Sequence, residues 1–284
     1  MVRRRIVEQP ASRLAIWARR FALFSLAATV IAVIIVRSGA LDIVPALSTL
    51  AGALVLAAVA ILLALAAGAV IWREGVGGVR QAVTALLIGL ALIAYPAYLG
   101  VKAYRLPAIY DVTTDPIDPP RFEAIARLRP RDANPVTYAG LYTAEQQRAA
   151  YSDIEPDLTD SSPQDAYNAA LKIITKRKWH IVDARPPQGA TSREGRIEAI
   201  ALTPLLGFRE DVAVRVRATP EGARIDIRSA SRYGRHDLGE NAARVRALID
   251  DIDDVLAAAP ETEKKQQPAA KPAQAAGKGS SAKR

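Results

Sequence analysis

The chain has 284 residues, half of them hydrophobic, and a formal net charge of +9. It contains no cysteine and only two histidines, His180 and His236, so disulfide and thiolate chemistry are excluded, and two imidazoles this far apart in sequence have no metal-ligand spacing. Sorted by region, the charge is +5 over residues 1–20, +1 over 21–100, −1 over 101–260 and +4 from 261 onward, so the basic excess sits at the two ends and nucleic acid is not an expected partner.

Residues 1–20 form a basic N-terminus with Arg3, Arg4, Arg5, Arg13, Arg19 and Arg20 against Glu8. Three apolar runs without a charged residue follow, at 21–36, 44–72 and 82–99. A bilayer core about 30 Å thick needs roughly 20 apolar residues in a helix. The second run exceeds that, the third is close to it, and Leu14 to Trp17 lengthen the first. A cleaved signal peptide is the alternative for the first run, but no clean small-residue cleavage site follows Val36 before the next apolar run. The spacing therefore predicts three transmembrane helices over residues 21–100. Basic residues favour the cytoplasmic side of a membrane. The N-terminus, and the second loop with Arg73 and Arg80, are expected there, which puts everything after Leu99 outside. The Ala- and Arg-rich composition suggests a bacterium, hence an inner (plasma) membrane and a periplasmic soluble domain. No ionisable residue lies inside a run, and ion or proton pathways usually need one, so the bundle reads as an anchor. Ala53, Ala57, Ala60, Ala64 and Gly68 form a small-residue stripe that could pair helices of two copies. The alternative is that alanine is simply common here.

Residues 101–160 read as a linker and an irregular strap. Pro116, Pro119 and Pro120 favour extended backbone, and Asn134-Pro135 and Glu155-Pro156 suggest turns. The aromatics Phe122, Tyr138, Tyr142 and Tyr151 are expected to pin the strap to the domain. Stacking on a ligand is their sharper alternative.

Residues 161–259 read as an α+β soluble domain. Ser162 and Pro163 suit a helix start, and Ala166, Tyr167, Ala170, Leu171, Ile173 and Ile174 make one apolar stripe. The basic run Lys172 to Lys178 suits a helix C-terminus, with an anion-binding face as the alternative. Four strands are predicted, at 179–183, 196–202, 211–218 and 224–229, with turns at Pro186-Pro187-Gln188-Gly189 and Pro220-Glu221-Gly222. Their alternation implies an antiparallel sheet with one polar, wet face. A last amphipathic helix carries Ala242, Val245, Leu248, Ile249, Ile252, Val255 and Leu256 on one side, with Asp237 and Glu240 resembling a capping pair. The expected fold is three spans plus a two-layer α+β domain, a four-stranded antiparallel sheet covered by helices in the order α-β-β-β-β-α. Residues 260–284 read as a disordered basic tail.

Residues 228–244 are dense in polar groups. Arg228-Ser229-x-Ser231-Arg232, Gly234, Asp237-Leu238-Gly239, Asn241 and Arg244 resemble the DUF1499 family, a family of unknown function. So do Arg196-Ile197-Glu198-Ala199, Gly207-Phe208 followed by Asp211 and Val212-x-Val214-Arg215, and Asp111-Val112-Thr113-Thr114-Asp115 with Pro119-Pro120-x-Phe122. The likeness spans residues 110–257. At Glu210-Asp211 this chain departs from the family pattern, which often has two Asp. The resemblance implies no activity.

The same segment suggests an anion-binding site of Arg215, Arg228, Ser229, Ser231, Arg232 and Asn241, since Arg suits bidentate contact with carboxylate or phosphate and a helix start adds N–H donors. The alternative is ion pairing of these Arg with Asp211, Asp226, Asp237 and Glu198. Ser229 or Ser231 with His236 has no triad logic at this spacing. No P-loop, dinucleotide fingerprint or paired-carboxylate motif occurs, so no catalytic residue, metal or cofactor is expected. The function expected is an outward-facing, membrane-anchored binding or scaffolding module of the cell envelope. Its partners would be the lipid bilayer and another envelope protein or an anionic envelope component. The alternative is an envelope enzyme acting on an anionic substrate.

Overall fold

A computed structural model describes residues 10–187 and 194–258. The triple arginine at the N-terminus, the Gln188-Gly189 half of the first strand turn and the basic tail lie outside the described residues.

The three apolar runs are helices: α1 (Arg13–Ser38), α2 (Ile43–Glu74) and α3 (Val79–Arg105). At 26, 32 and 27 residues each is long and apolar enough to cross a membrane. Alanine makes their close packing possible. Ala15, Ala18, Ala22 and Ser25 on α1, and Ala53, Ala57, Ala60, Ala64 and Ala67 on α2, are buried at alternating three- and four-residue steps, the spacing of a left-handed helix pair. The small-residue stripe of α2 is thus engaged within one chain, except for Gly68, which is exposed. The Ser25 hydroxyl donates to the Ala53 carbonyl, so its polar atom does not face lipid. Gly89 of α3 lets that helix in: a Cβ there would lie 2.5 Å from Ile61 and 3.2 Å from the Ala57 carbonyl oxygen. At one end of the bundle the Ser12 amide donates to Gly77 O, joining the N-terminal segment to the α2–α3 loop. The α1–α2 loop and the end of α3 lie at the other.

The soluble domain follows α3 directly. Its elements are β1 (Asp111–Thr113), a short 3-10 helix (Ile125–Arg127), α4 (Leu141–Ala150), β2 (Asp157–Thr159), α5 (Pro163–Lys176), β3 (His180–Arg185), β4 (Glu194–Leu202), β5 (Arg209–Thr219), β6 (Gly222–Ser231) and α6 (Glu240–Ala258). The sheet is antiparallel and runs β1-β6-β5-β4-β3, with β2 also on β6. It has six strands, not the four expected, and the expected order α-β-β-β-β-α omits β1, α4 and β2. The omission has a physical cause: a three-residue strand is too short to show alternation. Both extra strands add to the outer edge of β6, β1 opposite residues 228–230 and β2 opposite 223–225. They cover an edge that would otherwise expose unpaired amides. The region 101–160 is therefore less a linker than part of the domain.

Helices α5 and α6 cover one face. Ile197, Ala199, Val212, Val214, Val216, Ile225 and Ile227 meet Ala166, Ala170, Ile173 and Ile174 of α5 and Ala242, Val245, Leu248 and Ile252 of α6 in one core. Ser162 caps α5, accepting from the Asp165 amide at 3.1 Å. The opposite face was expected to be wet. It is instead closed by the strap, where Phe122 and Ile125 form a second, smaller core with Ala213 and Ala230. Glu198, fully buried on this face, holds the strap down by accepting the amides of Glu123, Ala124 and Ile125 at 2.9, 3.1 and 2.9 Å.

Candidate functional site

Strand alternation aims Arg215, Arg217, Arg224, Asp226, Arg228 and Asp211 at the strap. There they form three linked ionic groups. Fully buried Asp226 accepts from Arg215 at 3.1 and 3.0 Å, Arg217 at 2.9 Å and Arg224 at 2.9 Å. Asp118 of the strap adds contacts of 3.0 Å to both Arg215 and Arg217, and Asp115 one of 2.6 Å to Arg224. In the second group Arg228 makes a two-pronged pair with Asp111 of β1, at 3.0 and 2.6 Å, and donates to the carbonyls of Pro120 and Val136. Its guanidinium lies between two strap aromatics, 4.6 Å from the Phe122 ring and 5.6 Å from Tyr138. Burial pushes the Asp111 carboxyl up, while Arg228 beside it pulls it down. In the third group Asp211 accepts from Arg232 at 2.9 and 2.8 Å and from Arg129 at 2.6 Å. Arg129 also binds the carbonyls of Asn134 and Pro135, and Asn134 those of Ser231 and Gly234. Such charges are tolerated in a buried layer because each is paired with an opposite charge, although Arg129 Nη2 is buried without a hydrogen-bond partner among the described residues. At the rim, the Arg196 guanidinium beside Glu123 holds that carboxyl below its usual range.

A different polar cluster lies on the helix face, at the start of α6. Asn241, fully buried, accepts from the Ser229 hydroxyl at 2.8 Å and from Arg244 at 2.8 Å, and donates to Ser231 Oγ at 3.0 Å and Tyr110 O at 2.9 Å. Ser231 in turn donates to Glu210 at 2.6 Å. Burial pushes the Glu210 carboxyl up to about 7, against the pull of Arg244 and Ser231. Burial holds the Arg244 guanidinium below its ordinary range, against the pull of Glu210. Asp237 caps the helix through the Gly239 and Asn241 amides. Glu240 does not reach back to complete a capping box: it faces Lys102 at 3.6 Å.

The six candidate ligand residues therefore do not converge on one surface. The sheet stands between Arg215, Arg228 and Arg232 on the strap side and Ser229, Ser231 and Asn241 on the helix side. All six are at most 5% exposed. Of the alternative partners named from sequence, Asp211 and Asp226 do pair with arginine, whereas Glu198 and Asp237 bind backbone amides. Sequence reading missed Arg129, Asn134 and Glu210 as members. Asp111 was visible only as part of the opening motif. The strap aromatics Phe122 and Tyr138 stack on arginine, and Tyr151 lies 5.2 Å below Arg246, while Tyr142 is exposed. His236 lies against the Ala103 and Leu106 carbonyls at the end of α3. Among the described residues no group of three or more His, Asp or Glu is placed to hold a metal ion. An open groove of about 410 Å³ runs between the strap and α4, lined by Asp115, Asp118, Gln147, Arg148, Tyr151 and Arg224 among others.

A family model described as "Protein of unknown function (DUF1499)" matches residues 111–252. The chain belongs to this family. The match opens on Asp111, the partner of Arg228, and ends on Ile252 in the core of α6. The DUF1499 unit is thus the soluble domain with its strap, and the three apolar helices lie outside it. No match was found among curated proteins or among solved structures.

Proposed function

We propose that this DUF1499 protein is a membrane-anchored binding or scaffolding module of a bacterial cell envelope, its soluble domain facing the periplasm from the inner membrane. One observation carries the reading: the domain is fastened to the end of the bundle opposite the basic loop. Lys102 and His236 join α3 to the segment that starts α6, and Arg37 at the end of α1 donates to the Pro204 and Leu205 carbonyls. Ile109, four residues past α3, is already in the domain core. Such a domain is held at a fixed height and tilt, which suits a module that presents a surface to a partner rather than one that searches on a tether. The basic residues Arg73 and Arg80 bracket the opposite end, as the positive-inside rule requires of a cytoplasmic loop. Engagement of the arginines by carboxylates of the same chain favours a binding or scaffolding role over chemistry on an anionic substrate. The enzyme alternative would rest on Glu210 and Ser231, which are only 6% and 5% exposed.

Paired fusions of a reporter enzyme that is active only outside the cytoplasm test the orientation. A fusion after Arg105 is expected to be active and one after Gly77 silent; the reverse pattern overturns the reading. Cross-linking of the intact protein in membranes, followed by purification, is expected to yield a defined envelope partner. Turnover of an anionic envelope substrate by the purified protein, abolished by Glu210→Gln, would favour the enzyme instead.

A further inference from the structure

The end of β4 and the loop to β5 carry an apolar surface that none of the described residues covers: Leu202 is 57% exposed and Leu205 46%. The loop is not slack. The Thr203 amide donates to Phe208 O, the Gly207 amide to Thr203 O and the Phe208 amide to the Thr203 hydroxyl, so its backbone is closed on itself. Its height is set by the membrane helix beside it. Arg37 donates to Pro204 O at 2.6 Å and Leu205 O at 3.2 Å, and Gly207 sits against the Arg37 side chain, where a Cβ would lie 3.2 Å from Cγ.

Arg37 is one residue from the end of α1, and Ile34, three residues below it, is 60% exposed on the lipid side of the bundle. At about 1.5 Å of rise per residue, those two positions differ by about 5 Å in depth. The headgroup layer on each side of the hydrocarbon is itself roughly 5–7 Å thick. The backbone held by Arg37 is therefore at the level of the headgroup layer, beside the end of the apolar helices. Arg209, exposed at the loop's end, adds a cation at the level of the lipid phosphates, a pairing typical of interfacial anchors.

We infer that the β4–β5 loop is a membrane-interface anchor, whose Leu202 and Leu205 enter the headgroup–acyl boundary of the leaflet over which the domain lies. It forms a further attachment of the domain besides α3 and the Arg37 contact, and its ligand is phospholipid. The inference rests on the three helices crossing a bilayer and not on which side the domain faces, so it survives a failed orientation test.

The absence of cysteine makes the test direct. Leu205→Cys in the full-length chain is labelled with an environment-sensitive fluorophore and reconstituted into phosphatidylcholine–phosphatidylglycerol vesicles. Leu158→Cys, on β2 and 71% exposed, is the aqueous control. The anchor predicts blue-shifted emission at position 205 and quenching by a shallow nitroxide lipid at least about twofold stronger than at 158. Emission and iodide quenching at 205 equal to those at 158 overturn it. A Leu202→Ser/Leu205→Ser variant labelled at Arg209→Cys gives a second reading. It should lose the lipid quenching seen with Arg209→Cys alone, while retained quenching counts against the leucines as the anchor.

Discussion

Replacing Asp211 with alanine removes the shared counter-charge of two guanidinium groups. Asp211 is fully buried and the side chains of Arg129 and Arg232 are 3% and 2% exposed, so neither cation can recover its hydration without opening the strap. Breaking a buried pair by deleting one partner costs about 3–5 kcal/mol, and here two cations are left. Domain stabilities are typically about 5–15 kcal/mol, so the change consumes a large part of the whole. For a domain of this size each kcal/mol lowers the melting temperature by about 2–4 °C, which gives a loss of about 6–20 °C. The assay is thermal unfolding of the full-length protein in detergent, followed by Trp179 fluorescence in a background where Trp17 and Trp72 are phenylalanine. Asp211→Leu with Arg129→Met and Arg232→Met removes charge and counter-charge together, and should recover most of the loss, since apolar replacement of a whole buried ionic group is often neutral or better. A melting temperature for Asp211→Ala within about 2 °C of the parent would show that the pairing is not needed and return Arg232 to the list of groups available to a ligand.

Three further outcomes are expected. Asp157 on β2 faces Asp253 on α6, and its buried Oδ2 has no donor among the described residues; burial and then the Asp253 charge push Asp157 up to about 6. A raised carboxyl favours the protonated folded state, so its penalty is absent below about pH 4, grows as pH rises, and is complete above about 6. Asp157→Asn should therefore stabilise the protein at pH 7, by about 1 kcal/mol after allowing for solvent screening, and leave it unchanged at pH 3.5; equal effects in denaturant titrations at both pH values would contradict this. Asn241→Ala leaves Arg244, Ser229 and Ser231 without a shared partner and should cost about 2–4 kcal/mol, measured by the same Trp179 melt; a cost below about 0.5 kcal/mol would show the cluster to be hydrated. Gly89→Val drives a side chain into Ile61 and should destabilise the bundle by about 1–3 kcal/mol, while Gly52→Ala, with nothing within 4 Å, should be neutral; urea-dependent proteolysis of the bundle separates the two.

The membrane helices were legible because an uncharged run longer than a bilayer has few alternatives. Strands β4 to β6 were legible because each has enough residues for Ile and Val to alternate against Arg and Glu. β1 and β2 have three residues each and are stabilised by pairing with β6, a cause that no local pattern records. The polar sheet face was misjudged for a related reason: charge alternation reads as solvent exposure, but here the covering strap supplies the opposite charges. Arg228 and Asp111 are 117 positions apart, and nothing in the spacing announces them as partners. One part of the site error was avoidable. Arg228 and Ser229 are neighbours in a strand, and neighbours point to opposite faces, so Arg228 and Arg232 could not share a surface with Ser229 and Ser231 while that strand ran straight. The burial that raises Glu210 is tertiary and leaves no mark in the chain.

The central claim, an outward-facing domain on a three-helix anchor, is tested most directly on the intact protein. Leu158→Cys is the single cysteine of an otherwise cysteine-free chain, exposed on the soluble domain. Spheroplasts expressing this variant are treated with a membrane-impermeant maleimide before and after lysis. Full labelling before lysis is expected of an outward-facing domain; labelling only after lysis would place it in the cytoplasm and overturn the proposed orientation.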